Sequence, residues 1–222
     1  MLIQEKRFGD PEAKDILLQI TGEQETGFLQ NEFDQICMLS GRKDLALIAI
    51  PVSDWNTDLS PWEAPAVFGN EAFGGGAQKT LEELSGRIRA IRAEAAPDAK
   101  LYLGGYSLAG LFALWAGTKM DAFEGIAAAS PSVWFPGFTD NLKAHPVRAE
   151  RVYLSLGDKE ERTRHPVMRT VGDAIRETEE ILKQQGIITE LEWNPGNHFK
   201  EPDLRMAKGF AKLPDGSQKR SE

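Results

Sequence analysis

The chain has 222 residues, 26 Lys and Arg against 34 Asp and Glu, a formal charge of −8 and 41% hydrophobic side chains. At roughly 100 to 200 residues per domain this predicts a single domain, over residues 1–212, with a sizeable core. The acidic balance, with no basic cluster to offset it, argues against nucleic acid and membrane surfaces as partners. No window approaches the ~18 consecutive apolar residues of a membrane span. The first residues, MLIQEKRFGDPEAKD, lack the apolar segment that secretion needs, so a cytoplasmic protein acting on a small molecule is expected. Cys37 is the one cysteine, which excludes an intramolecular disulfide. With only His145, His165 and His198 besides, and no HExxH spacing, metal catalysis is not expected.

In chain order, Leu2 to Phe8 alternates apolar and charged residues and predicts an antiparallel edge strand. Further strands are predicted at Asp15–Thr21, Leu45–Val52, Lys100–Leu103, Phe123–Ala129, Arg151–Leu156 and Ile188–Trp193. Most are too uniformly apolar for a sheet with one wet face, which is how parallel strands covered on both sides read. Between them, Leu29, Phe33, Ile36 and Cys37, then Leu81, Leu84, Ile88 and Ile91, then Val167, Val171, Ile175 and Leu182, fit a 3.6-residue period. Leu108 to Trp115 is apolar nearly all round and predicts an enclosed helix. Alternation of this kind predicts an α/β fold: a mostly parallel sheet, helices on both faces, and the site at the C-terminal strand ends. Residues 53–78 and 134–149 break the alternation. They are rich in Pro, Gly and aromatics, and are read as lid or pocket loops. Residues 213–222 are polar and read as a frayed tail.

Directly after the strand KLYL comes Gly104-Gly105-Tyr106-Ser107-Leu108-Ala109-Gly110, then the enclosed helix. A serine on a strand–turn–helix corner projects its hydroxyl above the sheet, and small flanking residues are needed because strand and helix approach closely. Ser107 is therefore the candidate nucleophile, with Gly105 and Ala109 in the flanking positions of G-x-S-x-G. A serine hydroxyl needs a base, and the base an orienting acid. In this architecture the order is serine, acid, histidine, with the histidine after the last strand. His198 in WNPGNHF meets that requirement, whereas His145 and His165 lie in polar, proline-flanked segments and read as surface residues. The acid should follow RVYLSL, where Asp158, Glu160 and Glu161 compete. Oxyanion donors are expected from the Leu108 N–H and from the turn Thr21-Gly22-Glu23-Gln24, with Glu23 N–H assigned and Gln24 the neighbouring alternative. Asp54 and Asp58 are read as pocket or turn residues. FGGGAQKT is not a phosphate-binding loop, because Gln78 rather than Gly precedes Lys79; its three glycines read as a hinge before a helix starting near Gln78. Cys37 reads as core.

In GGYSLAGLFALW, ASPSVWF, SLGDKEERTR and GNHF the chain resembles the α/β-hydrolase superfamily, and within it the esterase group that includes esterase D-like and enterochelin-esterase-like enzymes. The resemblance spans about Asp15 to Phe210 in element order. It implies the α/β-hydrolase fold and cofactor-independent hydrolysis of carboxylic esters through an acyl-enzyme. It also places the acid three residues beyond the glycine that ends its strand, which selects Glu160 over Asp158. Ala109, and Thr21-Gly22 where many relatives have His-Gly, depart from the group's pattern.

Trp55, Trp62, Tyr106 and Trp134 are expected to line the substrate pocket. Lys143 and Arg148 are the only basic residues of segments 53–78 and 134–149, so a small, aromatic-walled pocket that prefers uncharged esters of short acyl or aryl groups is expected. Thioesterase, peptidase and acyltransferase activities use the same three residues, and a non-catalytic binding protein of this fold is the reading from another class.

Overall fold

The computed structural model describes residues 4–23, 27–67 and 69–214. The apolar runs become strands that bury both faces: β2 (Asp15–Gly22), β3 (Leu45–Val52), β6 (Lys100–Tyr106), β7 (Gly125–Ala129) and β8 (Arg151–Gly157) have interiors that are almost wholly buried. Together with β1 (Lys6–Gly9) and β9 (Ile188–Asn194) they form a seven-stranded sheet in the order β1-β3-β2-β6-β7-β8-β9. All pairings are parallel except β1 with β3, which is the expected antiparallel edge; Leu2 and Ile3 lie outside the described residues. The other edge, β9, is only half covered, and its sequence ITELEWN alternates accordingly.

Helices pack on both sides because each strand presents alternate side chains to opposite faces. On one face Leu101, Leu103, Ile126 and Leu154 join a core with α3 (Ala77–Glu94), α4 (Leu108–Lys119), α5 (Phe138–Ala144) and α6 (Val171–Gln184). On the other, Leu17, Tyr102, Ala127 and Tyr153 pack under α1 (Leu29–Ser40) and α7 (Pro202–Lys212). Helix α4 is buried along nearly its whole length, as its apolar sequence requires. No helix among the described residues is long and apolar enough to cross a membrane.

Residues 53–78 are more ordered than their composition suggests. They hold the short helix α2 (Trp55–Asp58) and an antiparallel ribbon of β4 (Glu63–Ala64) and β5 (Phe73–Gly74). Gly74–Gly76 is not a hinge. A Cβ on Gly74 would meet Thr57 Oγ1 at 2.5 Å, and Gly75 takes φ +72 with its N–H donated to Ser60 Oγ at 2.8 Å, so the run seats against α2. Asp54 caps α2 through the Thr57 N–H, and Asp58 accepts from Ser53 Oγ and the Asp54 N–H, which makes both turn residues. After α7, Leu213 is buried in the core with Phe210 and Pro214 is buried beside it, so the chain stays packed two residues further than expected. Cys37 is only partly buried, and that burial pushes its thiol upward in pKa.

Candidate active site

Four adjacent strands, β6, β7, β8 and β9, end side by side: Tyr106 pairs with Ala129, Ala129 with Ser155, and Gly157 with Asn194. The residues that follow these ends therefore meet at one edge of the sheet. Ser107 follows β6 with φ 56 and ψ −120, a conformation L-residues rarely adopt and one that costs on the order of 1–3 kcal/mol. Hydrogen bonds on every side hold it there. Its N–H donates to Ala129 O at 3.0 Å, and its carbonyl accepts from Ser132 N–H at 3.0 Å and Leu111 N–H at 3.1 Å. The corner is tight. A Cβ on Gly105 would stand 2.5 Å from the Ala109 carbonyl carbon and 2.6 Å from its Cβ. Glycine is required on the strand side of the turn, and a single methyl fits on the helix side.

His198, in the loop after β9, joins Ser107 to Glu160, in the turn after β8. Its Nε2 lies 3.1 Å from Ser107 Oγ, and its Nδ1 lies 2.8 Å from Glu160 Oε2. Glu160 is buried. Burial pushes its carboxyl upward in pKa, but His198, the Gly157 N–H and the Ser130 hydroxyl outweigh this and hold it below the usual carboxylate range. An ionised carboxylate only accepts, so the Nδ1 facing it carries the proton and Nε2 is left to accept from the serine. Asp158 faces elsewhere: its Oδ1 accepts from the Gly196 N–H at 2.7 Å and its own N–H donates to Asn194 O at 2.8 Å. Glu161 pairs with Arg176.

A second layer lies behind this line. Glu160 Oε1 accepts from Ser130 Oγ at 2.8 Å, the Gly157 N–H at 2.7 Å and Arg205 Nη1 at 2.9 Å. Arg205, on α7, is 1% exposed. Ser132 places its hydroxyl 3.4 Å from Ser107 Oγ. Sequence reasoning missed Arg205, although it shares the buried helical stripe with Met206, Gly209 and Phe210, where a charge is out of place.

Of the expected pocket residues, Tyr106 is elsewhere. Its ring packs with the α7 face of the sheet, 5.2 Å from the His198 ring, and its hydroxyl donates to His198 O at 2.6 Å. Strand alternation explains this, since Tyr102, Gly104 and Tyr106 share one face. Trp55, Trp62 and Trp134 are partly buried against the core. Trp62 meets Phe135 edge-on at 5.7 Å and donates to Pro136 O at 3.0 Å, while Phe73 contacts both Trp134 and Phe135. The two irregular segments are thus joined by an aromatic cluster. His165 is not a simple surface residue either, as its Nε2 donates to Val67 O at 3.1 Å and ties the acid-bearing loop to the first segment. His145 is exposed. Phe199, beside the histidine, is 85% exposed with its ring edge-on to His198 at 5.4 Å.

For the oxyanion donors, Leu108 is the first residue of α4, whose initial amides have no carbonyl to bind within the helix. Glu23 is exposed and follows the C-terminal end of β2, next to β6 in the sheet. Gln24 lies outside the described residues. Among the described residues no group of three or more His, Cys, Asp or Glu stands together in a way that would hold a metal ion. A half-open groove of about 330 Å³ runs beside β1, between Phe8, Ile16, Ile48 and Ile91; it includes Asp10–Ala13, ahead of β2, and so lies away from Ser107.

No family model matches the chain, and no curated protein matches it. Solved structures do. An IroE-like serine hydrolase from Shewanella oneidensis superposes with a TM-score of 0.75 at 15% identity, over 94% of this chain and 79% of its own. A siderophore hydrolase, EstA, from Aspergillus nidulans gives 0.71 at 18% identity, over 92% and 84%. An S-formylglutathione hydrolase from Staphylococcus aureus gives 0.59 at 14% identity, over 91% and 81%. At identities this low a likeness speaks for architecture alone, and with the parallel sheet, its antiparallel edge and the serine corner after β6 it shows that this chain has the α/β-hydrolase fold.

Proposed function

We propose that the protein is a serine hydrolase that cleaves carboxylic esters through an acyl-enzyme. The observation that carries this reading is the unbroken hydrogen-bonded line from Ser107 Oγ through His198 to Glu160, set on a serine with φ 56. Neither the strained corner nor a buried carboxylate on the far side of the imidazole is needed by a protein that merely binds. The similar structures include proteins named as hydrolases of siderophores and of S-formylglutathione, which supports hydrolysis as the class of chemistry.

In this reading Ser107 Oγ attacks the ester carbonyl carbon while its proton passes to His198 Nε2. Glu160 holds the imidazole in the required tautomer and stabilises the imidazolium as it forms. The carbonyl oxygen gains the negative charge and is met by the N–H groups of Leu108 and Glu23, each such donor contributing about 3 kcal/mol. Collapse breaks the ester C–O bond, and the departing alkoxide takes the proton from His198. Water then repeats the sequence on the acyl-enzyme, with His198 accepting its proton, and frees the acid.

The substrate assigned here is a small uncharged ester with a short acyl or aryl group. The aromatic segments 53–78 and 134–149 would serve as its walls, and exposed Phe199 offers apolar contact beside the histidine. Turnover of 4-nitrophenyl acetate by the wild type and by Ser107→Ala tests the reaction class. The variant should lose at least about a thousandfold in kcat. Equal turnover by the two proteins would refute the reading.

A further inference from the structure

Beyond the three residues assigned to the reaction, the site contains a buried charge with no assigned role. Arg205 lies on α7, and its Nη1 stands 2.9 Å from Glu160 Oε1, 3.0 Å from Ser130 Oγ and 3.2 Å from the Tyr106 hydroxyl. Its Nη2 stands 2.9 Å from Asn197 O, with Pro195 O at 3.5 Å. A guanidinium only donates, so it fixes the direction of each hydroxyl it touches. Ser130 accepts from Arg205 and must turn its proton to Glu160 Oε1; Tyr106 accepts from Arg205 and must turn its proton to His198 O. One side chain therefore touches the acid, the backbone of the histidine loop on both sides of Gly196, and the tyrosine that holds the histidine's own carbonyl.

We infer that Arg205 is a positioning residue of this site, setting the separation and charge of the Glu160–His198 pair from behind. The geometry explains why an arginine serves here. Glu160 Oε1 is saturated by three donors, which leaves Oε2 as the oxygen available to His198 Nδ1 and prevents the carboxylate from rotating. Lysine, with a point charge on a flexible stem, cannot span the acid and the loop carbonyls in one plane. The site is also built tightly around this group: a Cβ on Gly157 would come within 2.9 Å of Arg205 Nη2, 2.9 Å of Glu160 Oε1 and 2.4 Å of Gly196 O.

The inference rests on the serine-hydrolase reading, but the two fail differently. The other titratable or charged side chains around the pair include Tyr106, Asp158, Lys159, Glu161, Arg162 and Lys200, of which Glu161 is paired with Arg176 and Arg162 is exposed. Tyr106 and Asp158 are hydrogen-bonded as described, and Lys159 and Lys200 are exposed. At the start of α7, Asp203 accepts from Asn31 and Gln35, and Glu201 is exposed. Arg205 is the buried cation in contact with the acid. Removing it makes the Glu160–His198 pair take up a proton more readily, so the acid limb of the activity profile should move to higher pH.

The test is the rate of Ser107 labelling by a fluorophosphonate as a function of pH, in the wild type, Arg205→Met and Arg205→Lys, with thermal melting to show that each is folded. Arg205→Met should label at least tenfold more slowly at pH 7, with its acid limb displaced upward by half a pH unit or more. Arg205→Lys should keep the wild-type limb yet label several-fold more slowly. If Arg205→Met does not fold, Arg205→Lys decides, and a wild-type rate in that variant overturns the inference. A folded Arg205→Met with a wild-type limb also overturns it, even if slower. A wild type that is not labelled at Ser107 overturns the serine-hydrolase reading, and the inference with it.

Discussion

Asp158 and Glu160 lie two residues apart on one turn and hold the histidine loop by different parts: Glu160 Oε2 meets the His198 ring at 2.8 Å, while Asp158 Oδ1 accepts from the Gly196 N–H at 2.7 Å. One carboxylate orients a side chain; the other anchors backbone. Glu160→Gln should lower kcat by at least a hundredfold at pH 7, because a neutral amide neither stabilises an imidazolium nor enforces its tautomer. Asp158→Asn keeps an acceptor for Gly196 and should lose less than tenfold. Steady-state kinetics on both variants checks this, and the reverse ranking would give the acid role to Asp158.

The serine corner makes a prediction about stability. Gly105→Ala drives a methyl into Ala109 and should destabilise the fold by about 1–3 kcal/mol, with loss of activity as the corner shifts. Ala109→Gly removes the methyl on the other side and should keep most of the activity, at a cost of about 1 kcal/mol for glycine in a helix. Urea denaturation read beside turnover distinguishes the two.

Glu192 on β9 is clamped to α7 by Lys208 at 2.6 Å and Lys212 at 2.7 Å. Burial pushes its carboxyl up, but hydrogen bonds from the two lysines outweigh this and bring it down to about 2. A carboxyl whose pKa is lower in the folded chain stabilises it fully above the unfolded value, near 4.3, and loses that contribution as pH falls toward 2. Glu192→Gln should therefore lower Tm at pH 7, by an effect of about 1 kcal/mol after solvent screening. The gap to the wild type should close as the pH is brought from about 5 toward 2. Melting curves across that range check the sign.

The substrate assignment predicts that kcat/KM falls along a series of nitrophenyl esters from acetate to palmitate, and that Phe199→Ala raises KM for aryl esters more than it changes kcat. A succinate monoester should be a poor substrate. A preference for it would instead give a role to Lys159, Arg162, Arg164 and Arg169, exposed cations on the loop that carries Glu160.

Most of the architecture was legible because a parallel sheet covered on both faces leaves continuous apolar strands, and α4 an apolar helix. Ser107 and His198 were legible because their positions follow from where strands end. The choice between Glu160 and Asp158 turned on side-chain direction within one turn, which no periodicity encodes; resemblance alone favoured Glu160. Tyr106 was misassigned to the pocket although the strand's two-residue period, carried from Tyr102 through Gly104, points it under α7. Arg205 left a trace as a charge on a buried stripe, but its partners come from β6, the turn after β7, the turn after β8 and the histidine loop, and only the fold brings those together.

The most direct test of the account is to treat the protein with a fluorophosphonate and locate the adduct by peptide mass spectrometry, in the wild type, Ser107→Ala and His198→Ala. One adduct on Ser107 is expected in the wild type, none on Ser107→Ala, and labelling of His198→Ala slowed by at least a hundredfold. An adduct on another residue, or equal labelling of Ser107→Ala and the wild type, would contradict it.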